Sequence, residues 1–90
     1  MYVRIVEQTD FCVLFKESER NNYYVVQNHH FNQDGYAPKI NIGQTYYVDP
    51  MSYGMDVYID GVVVSTKPIL LKTDNLEKAI EKLNSIYSFV

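Results

Sequence analysis

The sequence predicts an α+β domain, an antiparallel β-meander of about five or six strands with one C-terminal α-helix packed on one face. Three observations support this fold class. Short stretches that alternate apolar and polar residues recur before residue 67, which is typical of half-buried strands. The dipeptide Asp60-Gly61 separates two of these stretches and is a strong hairpin signal. From Leu76 onward, apolar residues recur at the spacing of one helix face.

The first three strands are predicted in residues 2–8, 11–17 and 23–28. The first strand places Val3 and Ile5 on one face, and a turn of residues 8–10 leads into the second. Residues 23–28 are rich in β-branched and aromatic side chains, which favour strands. In the second strand the apolar positions at period two are Phe11, Val13 and Phe15.

The fourth strand is predicted at QTYYVD, before Pro50, and the hairpin follows in residues 55–66. A two-residue turn pairs Ile59 with Val62, Val57 with Val64 and Met55 with Thr66. These six residues share one face, of which five are apolar, so this face is expected in the core. The opposite face carries Asp56, Tyr58, Asp60, Val63 and Ser65.

A helix is predicted over residues 74–87, with Asp74 as its N-cap and Glu77 in the reciprocal capping position. The helix should pack its apolar stripe on the apolar sheet face, because an isolated helix of this length is only marginally stable. The stripe consists of Leu76, Ala79, Ile80, Leu83, Ile86 and Tyr87.

Composition and charge exclude several classes of protein. Ninety residues make a single domain, residues 1–90, and the net charge of -3 does not suit a protein that neutralises many phosphates of a nucleic acid. The single cysteine, Cys12, has no partner for an internal disulfide and alternates with bulky apolar residues, so a buried structural thiol is expected. The N-terminal residues do not form a signal-peptide pattern, and no apolar run is long enough for a membrane span. A cytoplasmic location without membrane association is therefore expected.

The segment VVQNHHFNQDGYAP raises the question of a metal or catalytic site at His29 and His30 with Asp34. Adjacent residues of an extended chain point to opposite faces, and the spacing matches no zinc signature. Asp34-Gly35 more simply supplies a turn. No metal or cofactor is expected, and the segment is interpreted as a contact loop that presents His29, His30, Phe31 and Tyr36.

The serines lie in no nucleophile motif, the glycines are too dispersed for a phosphate loop, and no carboxylate pair is singled out. We therefore expect that the protein is not an enzyme.

Residues 40–66 are the most unusual part of the sequence. They contain no lysine or arginine, and their three aspartates match the net charge of the whole chain. Tyrosine provides a large contact area with a polar tip, so an acidic, tyrosine-rich sheet face is a candidate docking surface for a basic groove of a protein partner. The competing interpretation is that these are solvated strand residues with some of the tyrosines buried. The candidate residues are Tyr46, Tyr47, Asp49, Tyr53, Asp56, Tyr58 and Asp60.

The sequence thus predicts a small binding or regulatory module that acts by protein–protein contact. The abundance of residues with AT-rich codons favours an inhibitor of a host enzyme encoded by a phage or mobile element. Two alternatives remain open. One is a module that encloses a nucleotide or metabolite with Tyr36, Tyr46 and Tyr47. The other is a homo-oligomeric structural subunit joined at the edges of the first and fourth strands.

Overall fold

The computed structural model describes residues 1–28, 31, 40–66 and 68–87. In this part of the chain an antiparallel sheet of seven strands carries one C-terminal helix, which confirms the α+β class but exceeds the expected five or six strands. The additional strand is β7, a short segment for which the sequence predicted only a return toward the core. The elements are β1 (Tyr2–Gln8), β2 (Cys12–Glu17), β3 (Tyr23–Gln27), β4 (Thr45–Met51), β5 (Gly54–Ile59), β6 (Val62–Ser65), β7 (Leu71–Thr73) and α1 (Leu76–Ser85).

The strand order is β6-β5-β4-β1-β2-β3-β7. Two three-stranded meanders, β1–β3 and β4–β6, lie side by side because β4 pairs with β1, and β7 pairs with β3. The described edges of the sheet are therefore β6 and β7. The expectation that the first and fourth strands provide free edges is wrong, because both lie inside the sheet.

One face of the sheet, here called the inner face, is a continuous apolar core. Val3 and Ile5 lie on it together, and so do Val13 and Phe15, as predicted. The prediction that Phe11 belongs to the same set is wrong, because Phe11 precedes β2 and packs on the opposite side. The alternation of side chains along each strand explains this division. The core residues of the inner face are Val3, Ile5, Val13, Phe15, Tyr24, Val26, Phe31, Ile40, Val48, Met55, Val57, Ile59 and Val64.

The predicted β5–β6 hairpin is confirmed. Ile59 pairs with Val62 and Val57 with Val64. The Thr66 N–H donates to the Met55 carbonyl oxygen at 2.8 Å, and the Met55 N–H donates to Thr66 Oγ1 at 2.9 Å. The turn between the strands has positive φ at both central residues, 50° at Asp60 and 81° at Gly61. Glycine and aspartate are among the few residues that accept this conformation readily.

Helix α1 packs on β2, β3 and β7 rather than on the hairpin. The helix thus packs on one face of the sheet, as expected, but this is not the face of the apolar hairpin residues, which belong to the inner core. The helix instead covers a second cluster on the opposite, outer face of the sheet. The sheet contributes Cys12, Leu14, Tyr23 and Val25 to this cluster, and the helix contributes Ala79 and Leu83.

The helix also begins one residue later than predicted. Its N-cap is Asn75, whose side chain accepts a hydrogen bond from the Lys78 N–H at 3.1 Å, and not Asp74. The buried stripe is narrower than expected, because Leu76 is 39% exposed and Tyr87 is 79% exposed.

The outer face is consequently divided into two halves. Over β3, β7 and the Cys12–Leu14 part of β2 it lies under α1, and Val6 of β1 packs beside this cluster. No described element covers it over Tyr2 and Arg4 of β1, Lys16 of β2, or β4, β5 and β6. Among the helices of the described residues, none has the length and apolar character that crossing a membrane requires.

Candidate functional site

The uncovered half of the outer face, here called the open face, is organised in rows that run across the strands. Tyr2 pairs with Tyr47, Tyr47 with Tyr58, and Tyr58 with Val63, which places these four side chains in one row. A second row lies two residues further along the strands, about 6.7 Å away. It joins Asp49 to Asp56 and Asp56 to Ser65.

The first row, here called the aromatic row, exposes a large apolar surface. Tyr2 is 61% exposed, Tyr47 41%, Tyr58 40% and Val63 49%. The ring centroids of Tyr2 and Tyr47 are 5.2 Å apart with an interplanar angle of 73°, and those of Tyr47 and Tyr58 are 5.6 Å apart at 56°. Edge-to-face and tilted arrangements of this kind are favourable for aromatic pairs, so the rings support one another.

The second row, here called the acidic row, fixes the tyrosine hydroxyls. The Tyr58 hydroxyl donates to Asp49 Oδ2 at 3.1 Å, and the Tyr53 hydroxyl donates to Asp56 Oδ1 at 2.6 Å. Ser65 Oγ donates to the same Oδ1 atom at 2.8 Å. Asp49 and Asp56 are direct cross-strand neighbours, and like charges in this position repel. The hydroxyl donors offset part of this repulsion.

These hydrogen bonds also shift the ionisation of the tyrosines. The hydrogen bond to the Asp49 carboxylate, followed by its negative charge, raises the pKa of both Tyr47 and Tyr58. The hydrogen bond to Asp56 raises the pKa of Tyr53 in the same way. The raised pKa values favour the protonated form of all three phenols, and the acidic row orients the hydroxyls of Tyr53 and Tyr58.

On the other side of the aromatic row lies a basic pair. Arg4 is directly opposite Lys16 on β2 and directly opposite Thr45 on β4. Lys16 Nζ donates to the carbonyl oxygens of Glu17 and Arg20, at 3.0 and 3.4 Å. The open face therefore changes from basic through aromatic to acidic along the strand direction.

The structure brings five of the sequence-predicted site residues together on or beside the open face: Tyr47, Asp49, Tyr53, Asp56 and Tyr58. Tyr46 lies on the inner face, half-buried against the core, and its hydroxyl donates to Gln44 Oε1 at 2.6 Å. Tyr46 and Tyr47 thus point to opposite faces and do not line one common pocket. Asp60 is exposed in the hairpin turn, away from both rows.

Of the four residues expected on the contact loop, the structure describes only Phe31, which is fully buried. Its ring centroid lies 6.3 Å from that of Phe15, so this side chain packs in the core rather than on a contact surface. His29, His30 and Tyr36 lie outside the described residues.

Sequence reasoning missed Tyr2, Arg4 and Lys16. The pairing of β1 with β4 brings Tyr2 beside Tyr47, although the two residues are far apart in the chain. The local signal available was the outward position of Tyr2 and Arg4, which alternate with the buried Val3 and Ile5.

The described residues contain no group of three or more histidine, cysteine or carboxylate side chains that could hold a metal ion. Cys12 is fully buried, and this burial raises the pKa of its thiol. A thiol with these properties is a poor nucleophile, because the thiolate is the reactive form. The chemistry that the open face offers is contact through rings, carboxylates and hydroxyls.

Comparison of the chain with models of protein families, with curated proteins and with solved structures found no match.

Proposed function

We propose that this chain is a small protein-binding module that docks a cationic segment of a partner protein on its open face. The observation that carries the proposal is the exposed row of Tyr2, Tyr47 and Tyr58 beside the carboxylates of Asp49 and Asp56.

The tyrosines support this function because they are ordered before a partner arrives. Ring contact holds Tyr47 and Tyr58 against each other, and a hydroxyl hydrogen bond to Asp49 also holds Tyr58, so little side-chain entropy is lost on binding. Tyrosine combines a large apolar contact with a polar tip, a combination enriched in binding surfaces. Exposed rings also attract the ammonium and guanidinium groups of a partner by cation–π contact.

The charge of the surrounding segment supports a basic partner. Residues 40–66 carry Asp49, Asp56 and Asp60 and no lysine or arginine. A lysine or arginine above the acidic row adds a charge-assisted hydrogen bond, because each carboxylate oxygen accepts more than one donor. Complementary charge of this kind increases the rate and specificity of association more than the affinity.

The setting that we propose is the cytoplasm, and the role is regulatory rather than catalytic. The codon bias that the composition implies supports a protein of a phage or mobile element that inhibits a host enzyme. A basic substrate groove of that enzyme has the charge that the acidic row complements.

The experiment compares Tyr58→Lys with a matched control, Tyr87→Lys. Both variants replace an exposed tyrosine with lysine, but Tyr87 lies beyond the C-terminus of α1 and outside the open face. Each protein is used to capture partners from a low-GC bacterial lysate, and the captured protein is then purified and titrated by calorimetry. We expect Tyr58→Lys to weaken binding at least tenfold, a loss of about 1.4 kcal/mol, while the variant remains folded and unfolds in a cooperative thermal transition.

The control variant should bind like the original protein, and binding should weaken as the salt concentration rises. A captured partner that Tyr58→Lys binds with unchanged affinity would overturn the proposal. The absence of any salt-sensitive partner would do the same.

A further inference from the structure

The two members of the basic pair, Arg4 and Lys16, repel each other, and the contacts described above do not explain why the fold keeps this arrangement. Arg4 and Lys16 are direct cross-strand neighbours on β1 and β2, in the arrangement where like charges destabilise a sheet. Among the described residues, neither side chain forms an ion pair with a carboxylate, and Arg4 is exposed. A ligand that supplies the missing negative charge would relieve this repulsion.

The neighbouring carboxylates have other partners. Glu17 Oε1 accepts hydrogen bonds from the hydroxyl of Tyr24 and from Asn22 Nδ2. Asp49 accepts from Tyr58 in the acidic row, on the far side of the aromatic row. Positive charge therefore remains at Arg4 and Lys16 although the chain as a whole is negative.

A cleft of about 290 Å³ lies at this pair, lined by Arg4, Lys16, Glu17, Ser18 and Thr45. Thr45 is directly opposite Arg4, so a hydroxyl flanks the guanidinium. Lys16 Nζ is held by the Glu17 and Arg20 carbonyl oxygens, which use two of its three N–H donors and leave one for a ligand. The lining thus combines two cations and the hydroxyls of Ser18 and Thr45 with one carboxylate, Glu17, whose Oε1 already accepts hydrogen bonds from Tyr24 and Asn22.

A larger cleft of about 610 Å³ adjoins the first and shares Glu17, Ser18 and Thr45 with it. Tyr2 and Arg20 also line it. This second cleft has room for the remainder of a small molecule whose anionic group occupies the first.

We propose that Arg4 and Lys16, with Ser18 and Thr45, bind the phosphate group of a small phosphorylated molecule. The planar guanidinium of Arg4 donates two parallel hydrogen bonds to two phosphate oxygens, and the Lys16 ammonium adds a point charge. Phosphate suits this lining better than a carboxylate, since it offers more oxygens to accept from the two cations and the two hydroxyls, and its larger charge outweighs the single carboxylate of Glu17 in the competition for Arg4 and Lys16. This site goes beyond the proposed docking function and does not depend on it.

The test uses backbone NMR titrations with inorganic phosphate and with glycerol 3-phosphate, at constant ionic strength maintained with sodium chloride. The expected result is saturable shifts at Arg4, Lys16, Ser18 and Thr45 with both probes, and glycerol 3-phosphate should bind at least as tightly. Arg4→Gln should weaken both titrations about tenfold, as expected for the loss of a charge-assisted hydrogen bond.

The matched control is Lys82→Gln, which removes a charge near the opposite end of β2. Burial raises the pKa of Cys12 and the positive charge of Lys82 partly offsets this effect, so Lys82 lies near Cys12. Cys12 is four residues, or about 13 Å, along β2 from Lys16. This variant should bind both probes like the original protein.

A second measurement separates binding from a structural role. Without phosphate and at low salt, Arg4→Gln should raise the melting temperature, because the repulsion with Lys16 is removed. Phosphate should raise the melting temperature of the original protein more than that of Arg4→Gln. The proposal is overturned by unsaturable shifts, by equal binding to Arg4→Gln, or by binding of inorganic phosphate without glycerol 3-phosphate.

Discussion

The Tyr24 hydroxyl donates a 2.5 Å hydrogen bond to Glu17 Oε1, joining β3 to the end of β2 at the rim of the inner core. Tyr24 is 3% exposed, whereas Glu17 is half-buried. The hydrogen bond from Tyr24 is the main cause that holds the pKa of Glu17 below its ordinary value. Burial, followed by the hydrogen bond to Glu17, raises the pKa of Tyr24 far above its ordinary value.

The first prediction is that Tyr24→Phe lowers the free energy of unfolding by about 1 kcal/mol at neutral pH, since a hydrogen bond to a partly solvated carboxylate is lost. Urea denaturation measures this change. Tyr23→Phe is the matched control, because the Tyr23 hydroxyl makes no hydrogen bond with a described residue, and its stability should change little. Equal losses for the two variants would contradict the assignment.

The same pair predicts a pH dependence. Glu17 has a lowered pKa in the folded state, so its contribution is present above the unfolded value of about 4.3 and is lost as the pH falls through the folded value. The stability difference between the original protein and Tyr24→Phe should therefore shrink as the pH falls below about 4. Denaturation curves from pH 3 to pH 7 measure it, and parallel pH profiles would show that the hydrogen bond does not cause the shift.

The second prediction concerns the start of α1. Asn75→Ala should destabilise the protein by about 1 kcal/mol, because its side chain caps the Lys78 N–H, whereas Asp74→Ala should cost only a few tenths. The Asn75 N–H donates to Thr73 Oγ1 at 3.1 Å. It therefore does not need the acceptor that a glutamate three residues later in the helix would supply. Thermal unfolding of both variants distinguishes the two candidate caps, and a larger loss for Asp74→Ala would restore the original prediction.

The third prediction concerns the hairpin turn. Gly61→Ala should lower the free energy of unfolding by about 1 kcal/mol, because φ is 81° at this position and alanine is strained there. No heavy atom lies within 4 Å of the added Cβ, so backbone strain alone accounts for the loss. Asp60→Asn is the control, since asparagine tolerates positive φ, and it should change stability little. A neutral Gly61→Ala substitution would mean that the turn readily adopts another conformation.

The features that sequence predicted correctly depend on residues close together in the chain. The hairpin follows from Asp60-Gly61 and the alternation around it, and the helix follows from the spacing of Ala79, Ile80 and Leu83. The strand order depends instead on the pairing of β1 with β4, for which no local pattern gives a signal. For that reason the sequence did not place Tyr2 and Arg4 on the same surface as Tyr47.

The sequence does contain a signal for the face of the sheet that α1 covers. The buried run from Cys12 to Phe15 and the run from Tyr23 to Val26 are continuously apolar, which is typical of strands buried on both faces. The acidic, tyrosine-rich composition of residues 40–66 did lead to five residues of the candidate site. Alternation along β4 would also have separated Tyr46 from Tyr47.

The fourth prediction tests whether the acidic row controls the aromatic row. The Asp49 carboxylate is the main cause of the raised pKa of both Tyr47 and Tyr58, so Asp49→Ala should lower the pKa of these two phenols toward the ordinary value. A tyrosine with a raised folded pKa keeps its proton when the unfolded chain loses it, so stability falls as the pH rises above about 10. Asp49→Ala should make this alkaline loss shallower.

NMR shifts of the tyrosine ring protons, followed from pH 8 to pH 12, measure the two ionisations directly. Asp60→Asn is the matched control, because it removes a carboxylate that is not among the causes of either shift and asparagine tolerates the positive φ of the turn. The control should leave both titrations unchanged. If Asp49→Ala also leaves them unchanged, the hydrogen bond between Tyr58 and Asp49 does not persist in solution, and the order of the aromatic row must come from ring packing alone.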